Sequence, residues 1–223
     1  MQPRLSQKRN AALTLFEVGV VIAAVMILSL VLLPQISRFG FGRPPRVSSV
    51  GCVNNLKQVG LAYKIWAGDN NDILPMGISV TNGGSLEMVA TGNVAQTFLA
   101  MSNELSTPRI LFCPSDASRH VANDFAGLGN ASISYFASAD MTNDANPQMI
   151  LSGDSHFEIH GKPAKPGLNS FWTNDPVIWS PTTRHMKTGN LGLADGSVQT
   201  PSSPGLRNFL LQTGLATNRF AIP

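Results

Sequence analysis

Charge is scarce in this chain. Asp, Glu, Lys and Arg together make up 13% of its 223 residues, about half the ~25% usual in soluble globular proteins. The 16 basic and 13 acidic side chains leave a net charge of +3, and the basic residues are scattered. No basic stripe interleaved with aromatics exists, which argues against a nucleic-acid surface. There are two cysteines, Cys52 and Cys113, spaced neither as CxxC nor as a zinc-ligand set. They fit a disulfide outside the cytoplasm or two buried thiols inside it. The chain also lacks internal repeats, low-complexity tracts, a GxSxG elbow and a glycine-rich oxyanion segment.

Long apolar runs are missing too, with one exception. From Ala12 to Pro34 the sequence reads ALTLFEVGVVIAAVMILSLVLLP, uncharged from Val18 to Leu33 and preceded by one carboxylate, Glu17. Arg4, Lys8 and Arg9 stand before it, as in a secretory signal, but no clean small-x-small cleavage site follows. Residues 13–34 would span ~33 Å as a helix, close to one bilayer core, so a membrane helix is expected. Arg38, Arg43 and Arg46 balance the basic residues on the other side, so charge does not set its orientation. A carboxylate at the edge of such a segment is expensive and needs a reason.

Residues 1–12 form a basic leader, 13–34 the apolar helix, 35–47 a linker containing FGFGRPP, and 48–223 the head. With Ser48 or Ser49 as cap, a helix is expected to about Ala67. Its apolar stripe is Cys52, Leu56, Val59, Tyr63 and Trp66, at helical spacing. Residues 73–92 read as loop. A further helix is expected from Val94 to Leu105, and strands at 110–113, 132–137 and 149–152. The segment 155–182, with its prolines and two tryptophans, reads as a long irregular loop. Asp195-Gly196 between two short expected strands, 190–194 and 197–200, predicts a hairpin. A last helix, 204–212, has Ser203 as cap, Pro204 at its first position and Gly214 at its stop. The class is α+β.

Ala12-Leu13-Thr14-Leu15-Phe16-Glu17 resembles the processing motif of type IV prepilins and type II secretion pseudopilins, with Ala12 where that family usually has Gly and Leu13 where it usually has Phe. CVNNLKQVGLAYKIWAGDNND (52–72), CPSD (113–116), SYF (134–136) and the spacing from His185 to Asp195-Gly196 are similar to later segments of pseudopilin-like proteins, the last to their H-X9-DG element. The resemblance implies a pilin-like α+β fold with an N-terminal membrane helix and a small head with antiparallel strands. It implies cleavage by prepilin peptidase between Ala12 and Leu13 and N-methylation of Leu13. It further implies a single-pass protein of the bacterial inner membrane, N-terminus cytoplasmic and head extracytoplasmic, where Cys52 and Cys113 would form a disulfide. Glu17 would pair with the amino terminus of a neighbouring subunit. The implied partners are other pseudopilin subunits, the secretion-system inner-membrane platform and the membrane. The implied role is structural, not enzymatic.

Other constellations compete. Related subunits bind calcium, which would draw on Asp154 and Asp195; the plainer reading has Asp195 filling its turn position and His185 bonding backbone. His156 and His160 stand four apart, a weak zinc pair. Ser155, His185 and Asp195 can be written as a Ser-His-Asp set, which would make an anchored hydrolase. An anchored surface or binding module that forms no filaments is the main alternative.

Overall fold

The computed structural model describes residues 15–38, 45–143, 146–182, 184–185 and 187–223. The chain divides into two units, residues 1–42 and 43–223. Helix α1 (Leu15–Arg38) belongs to the first. It continues past Pro34 to Arg38. Ten large apolar side chains between Leu15 and Leu28 are exposed, Leu15 at 95% and Val25 at 61%. Side chains are described from Leu15 to Ser29, a length of about 22 Å at 1.5 Å per residue, against a hydrocarbon core of ~30 Å. Among the described residues no helix is long and apolar enough to cross a membrane. The expected span 13–34 begins with Leu13 and Thr14, which lie outside the described residues.

Helix α2 (Pro45–Asp69) opens the head. It begins inside the expected linker because proline fits the first turn, where its missing N–H costs nothing. The stripe Cys52, Leu56, Val59, Tyr63 and Trp66 is buried. Residues 73–92 contain two 3-10 turns and a short helix, α3 (Leu86–Ala90). The helix expected over 94–105 breaks at Met101 into α4 (Val94–Ala100) and α5 (Ser102–Leu105). The expected strand 110–113 is instead a 3-10 turn, Pro108–Leu111. Pro108 starts that turn, and the Thr107 hydroxyl accepts a bond from Arg109 N.

The strands are β1 (Tyr135–Ser138), β2 (Ile150–Asp154), β3 (Phe157–Ile159), β4 (Lys162–Pro163), β5 (Gly167–Trp172), β6 (Val177–Trp179), β7 (Leu191–Leu193), β8 (Val198–Gln199) and β9 (Thr217–Ile222). Helix α6 (Ser203–Gln212) precedes β9, with Ser202 rather than Ser203 as its cap residue. A six-stranded antiparallel sheet has the order β5-β9-β1-β2-β7-β8, and β4-β3-β6 form a three-stranded sheet. The long loop expected at 155–182 is therefore corrected: it holds four short strands. The longest register in the large sheet pairs β5 with β9 from Gly167↔Ile222 to Trp172↔Thr217.

Alternation along the central strands explains the layering. Phe136, Ile150 and Phe220 face a cluster with Phe157, Phe171, Trp179, Leu206 and Leu210. Their neighbours Ala137, Leu151 and Ala221 face the other cluster, with Val59, Tyr63, Phe98 and Leu111. The sheet is thus covered on both sides, by α2 and α4 on one and by α6 and the small sheet on the other. The disulfide Cys52–Cys113 (Cα–Cα 5.0 Å) ties α2 to the segment entering the sheet; closing a loop of this length contributes about 4 kcal/mol in the chain-entropy model.

Gly92 tests this packing. Its φ is +84°, and a Cβ there would lie 2.2 Å from Gly167 Cα, a backbone atom that cannot step aside. Gly92→Ala is expected to lower unfolding free energy by more than ~2 kcal/mol. Gly68→Ala, on α2 with open space around its Cβ position, is expected to leave it unchanged or raise it by up to ~1 kcal/mol. Urea titration of both variants measures the contrast.

Candidate functional site

A buried polar cluster lies where β1, β2 and the loop before β7 meet. Arg184, on that loop, is its centre. Its side chain is 6% exposed, and its backbone is left-handed at φ 48°, a conformation that costs a non-glycine residue about 1 kcal/mol or more and needs tertiary contacts to hold it. The guanidinium supplies those contacts. Nη2 bonds Asp116 Oδ2 and reaches Ser155 Oγ at 3.3 Å. Nη1 donates to the Ser134 carbonyl at 2.7 Å and lies 3.8 Å from Asp154 Oδ1.

Asp116 is closed in by further donors. Oδ1 accepts from Ser118 N and Oγ at 3.1 and 2.6 Å, and Oδ2 accepts from Ser134 Oγ at 2.8 Å. Burial alone would raise its pKa; the Arg184 charge and the bonds from Ser118 and Ser134 outweigh burial and hold it below the ordinary carboxylate value. Arg119 Nε stands 3.7 Å from the same carboxylate.

Asp154, at the end of β2, is fully buried. Its Oδ2 accepts from Asn190 N and Nδ2, both at 2.8 Å, and faces His185 Nε2 at 3.6 Å. His185 Nε2 in turn lies 3.5 Å from Cys113 Sγ. His156 stacks on Trp179, centroids 5.3 Å apart, and meets His185 edge-on at 5.9 Å. Its Nε2 is 3.1 Å from the Thr188 carbonyl; a carbonyl only accepts, so that nitrogen carries the proton. Nδ1 is buried with no hydrogen-bond partner among the described residues. Burial, ahead of all other influences, pushes the His156 pKa from 6.5 down to about 4, so the ring is neutral at pH 7.

Beside the cluster opens a cavity of about 480 Å³, with Ser118, Arg119, His156 and Arg184 on its polar side and Pro163 and Ile222 on its apolar side. That volume is in the range of small-molecule pockets.

The expected site residues divide clearly. Ala12 and Leu13 lie outside the described residues. Glu17 is in the first turn of α1. Asp195 sits in the exposed turn after β7, where its Oδ1 accepts from Ser197 N at 2.8 Å, and Gly196 takes φ +84°. The H-X9-DG element therefore does not close on itself. His185 is beside Asp154 at one end of β2, while Ala194 N, next to Asp195, bonds Met149 O at the other. Ile150 to Asp154 is roughly 13 Å of strand at ~3.3 Å per residue. The same separation parts Asp154 from Asp195 as a calcium pair, and Asp195 from Ser155 and His185 as a triad. Ser155 Oγ donates to the Ser134 carbonyl at 3.0 Å, with no imidazole bonded to it among the described residues. His156 and His160 flank β3 rather than a helix turn, and His160 is exposed beside Asp175, 3.4 Å away.

Sequence reading missed Asp116, Arg184 and Asn190. Yet CPSD supplies Asp116, SYF supplies Ser134, the Gly-Asp-Ser block supplies Asp154 and Ser155, and Arg184 immediately precedes His185. The short segments that stood out one by one are the ones that meet here. Comparison with protein-family models, curated proteins and solved structures finds no match.

Two outcomes follow. Arg184→Met leaves Asp154 buried without its arginine and Asp116 with only Arg119, 3.7 Å away, and is expected to cost about 3 kcal/mol, read by urea unfolding at pH 7. The second concerns His156. Because its folded pKa lies below its unfolded one, the unfolded chain binds the extra proton between pH 6.5 and about 4. The stabilisation is full above 6.5 and is lost as pH falls toward 4, by about 3 kcal/mol in total. Unfolding free energies across that window are expected to fall for the native chain and to flatten in His156→Gln.

Proposed function

We propose that the chain is a structural subunit of a filament of the type II secretion pseudopilus or type IV pilus kind, with a pilin-like α+β fold. Prepilin peptidase cuts between Ala12 and Leu13 and methylates Leu13, and residues 13–34 anchor the product in the bacterial inner membrane with the head outside the cytoplasm. The observation that carries this reading is α1: ten exposed large apolar side chains between Leu15 and Leu28, with Glu17 the single charge in that stretch and placed in the first turn. Exposed apolar surface on this scale calls for lipid or for copies of the same helix. Within such a bundle a buried carboxylate is tolerable when a cation meets it, and the Leu13 amine of a neighbouring subunit is that cation. The pairing sets axial register while the apolar faces pack sideways. The secretion-system inner-membrane platform and other pseudopilin subunits are the partners, and the role is structural.

A second reading has one observation in its favour. The 480 Å³ cavity with Arg119 and Arg184 at its wall suits an anchored binding module that forms no filaments.

Overexpression followed by negative-stain microscopy separates the two. Native subunits are expected to give filaments, and Glu17→Ala subunits to insert in the membrane but not assemble. Normal assembly of Glu17→Ala would sink the pairing, and anchored native protein without filaments would favour the binding module.

A further inference from the structure

The cavity beside the buried cluster carries polar capacity that the fold does not use. Its arginines are already committed. Arg184 meets Asp116 and Asp154, and Arg119 lies 3.7 Å from Asp116 through Nε. Arg119 Nη1 and Nη2 donate to the Asn130 and Pro223 carbonyls. Glu158 is left over. It lines the cavity, half-buried, and makes no hydrogen bond or ion pair among the described residues. Its strand explains why. Phe157 is buried in the core, so Glu158, the next residue, faces the other side of β3. Its cross-strand neighbours are Pro163 and Ile178, and neither can pair with a carboxylate. Lys162 and Lys165, the nearest lysines in sequence, do not line the cavity.

The other unused groups have the same character. His156 lines the cavity, and Nδ1 of its neutral ring is an acceptor with no donor among the described residues. The Ser115 hydroxyl, also on the lining, is unbonded among the described residues. The wall therefore combines one uncompensated negative charge with spare acceptors, which calls for a cation that donates N–H groups. Pro163, Ala164 and Pro166 add aliphatic surface. Phe157 is 2% exposed and His156 9%, too little open ring for a quaternary-ammonium cage. A primary ammonium is a compact charge with three donors. The volume of about 480 Å³ lies toward the small end of ligand pockets.

We propose that the cavity is a site for a small aliphatic primary amine, held as its ammonium ion by Glu158, with its carbon chain against Pro163, Ala164 and Pro166. The inference deepens the reading of this cavity as a binding site and rests on it. Filament formation is read separately by microscopy, so failure of one test leaves the other standing.

The test uses the full chain in detergent at pH 7 and low salt, with n-butylamine as probe and saturation-transfer NMR as readout. 1-Butanol supplies the same chain without charge, and pentanoate the same chain with the opposite charge. Butylamine is expected to bind saturably with a dissociation constant of about 1 mM, and butanol and pentanoate at least about fivefold more weakly. Glu158→Gln is expected to weaken butylamine about fivefold or more, and added salt to weaken it in the native chain but not in the variant. Ala117→Trp, which places a ring on the lining from an exposed position, is expected to abolish binding. Absence of saturable butylamine binding overturns the proposal, as does unchanged affinity in Glu158→Gln or in a folded Ala117→Trp chain. If Ala117→Trp fails to fold, Glu158→Gln and the salt dependence decide. Tighter binding of pentanoate than of butylamine overturns the amine while keeping the cavity a binding site.

Discussion

The head depends on one buried cation. Asp116 and Asp154 are both nearly or wholly removed from water, and burying carboxylates is costly unless they are paired and hydrogen-bonded. Arg184 lies against both and against the Ser134 carbonyl. It thereby joins three distant stretches: the turn after Cys113, the ends of β1 and β2, and the loop before β7. Its left-handed backbone is held by those bonds. The position of His185 beside Asp154 and the disulfide, and the polar wall of the cavity, follow from the same arrangement.

How much of this could be read in advance depends on how local the signal is. The stripe from Cys52 to Trp66 repeats at helical spacing, and α2 buries it. The Asp195-Gly196 turn is a local feature, and β7 and β8 flank it. The central strands give a weaker signal: strands expected at 132–137 and 149–152 overlap β1 and β2, at 135–138 and 150–154, with their bounds shifted. β1, β2 and β7 are buried along their whole lengths, because helices and a second sheet cover opposite faces, so apolar and polar residues do not alternate. No expectation covers β9, whose residues TNRFAI gain their role from β5 paired opposite them. The strands within 155–182 are mostly two or three residues long and broken by proline. Arg184 carries no periodicity at all, and its meaning comes only from contacts 29 to 68 residues away.

The H-X9-DG element gains a different sense from this geometry. Its histidine and its Asp-Gly turn mark the two ends of the β2–β7 pairing. His185 joins the buried cluster, and Asp195-Gly196 makes the turn into β8. The spacing measures a loop plus one strand. In the proposed function the head is a scaffold carried by the apolar helix, and its buried polar corner secures the fold outside the cytoplasm, where a disulfide persists.

The claim on which the functional account turns is that the apolar helix begins as a new amino terminus. The mass and N-terminal sequence of the membrane-extracted protein test it directly. The account predicts a chain starting at Leu13 with an N-methyl group; an intact chain starting at Met1 would contradict it.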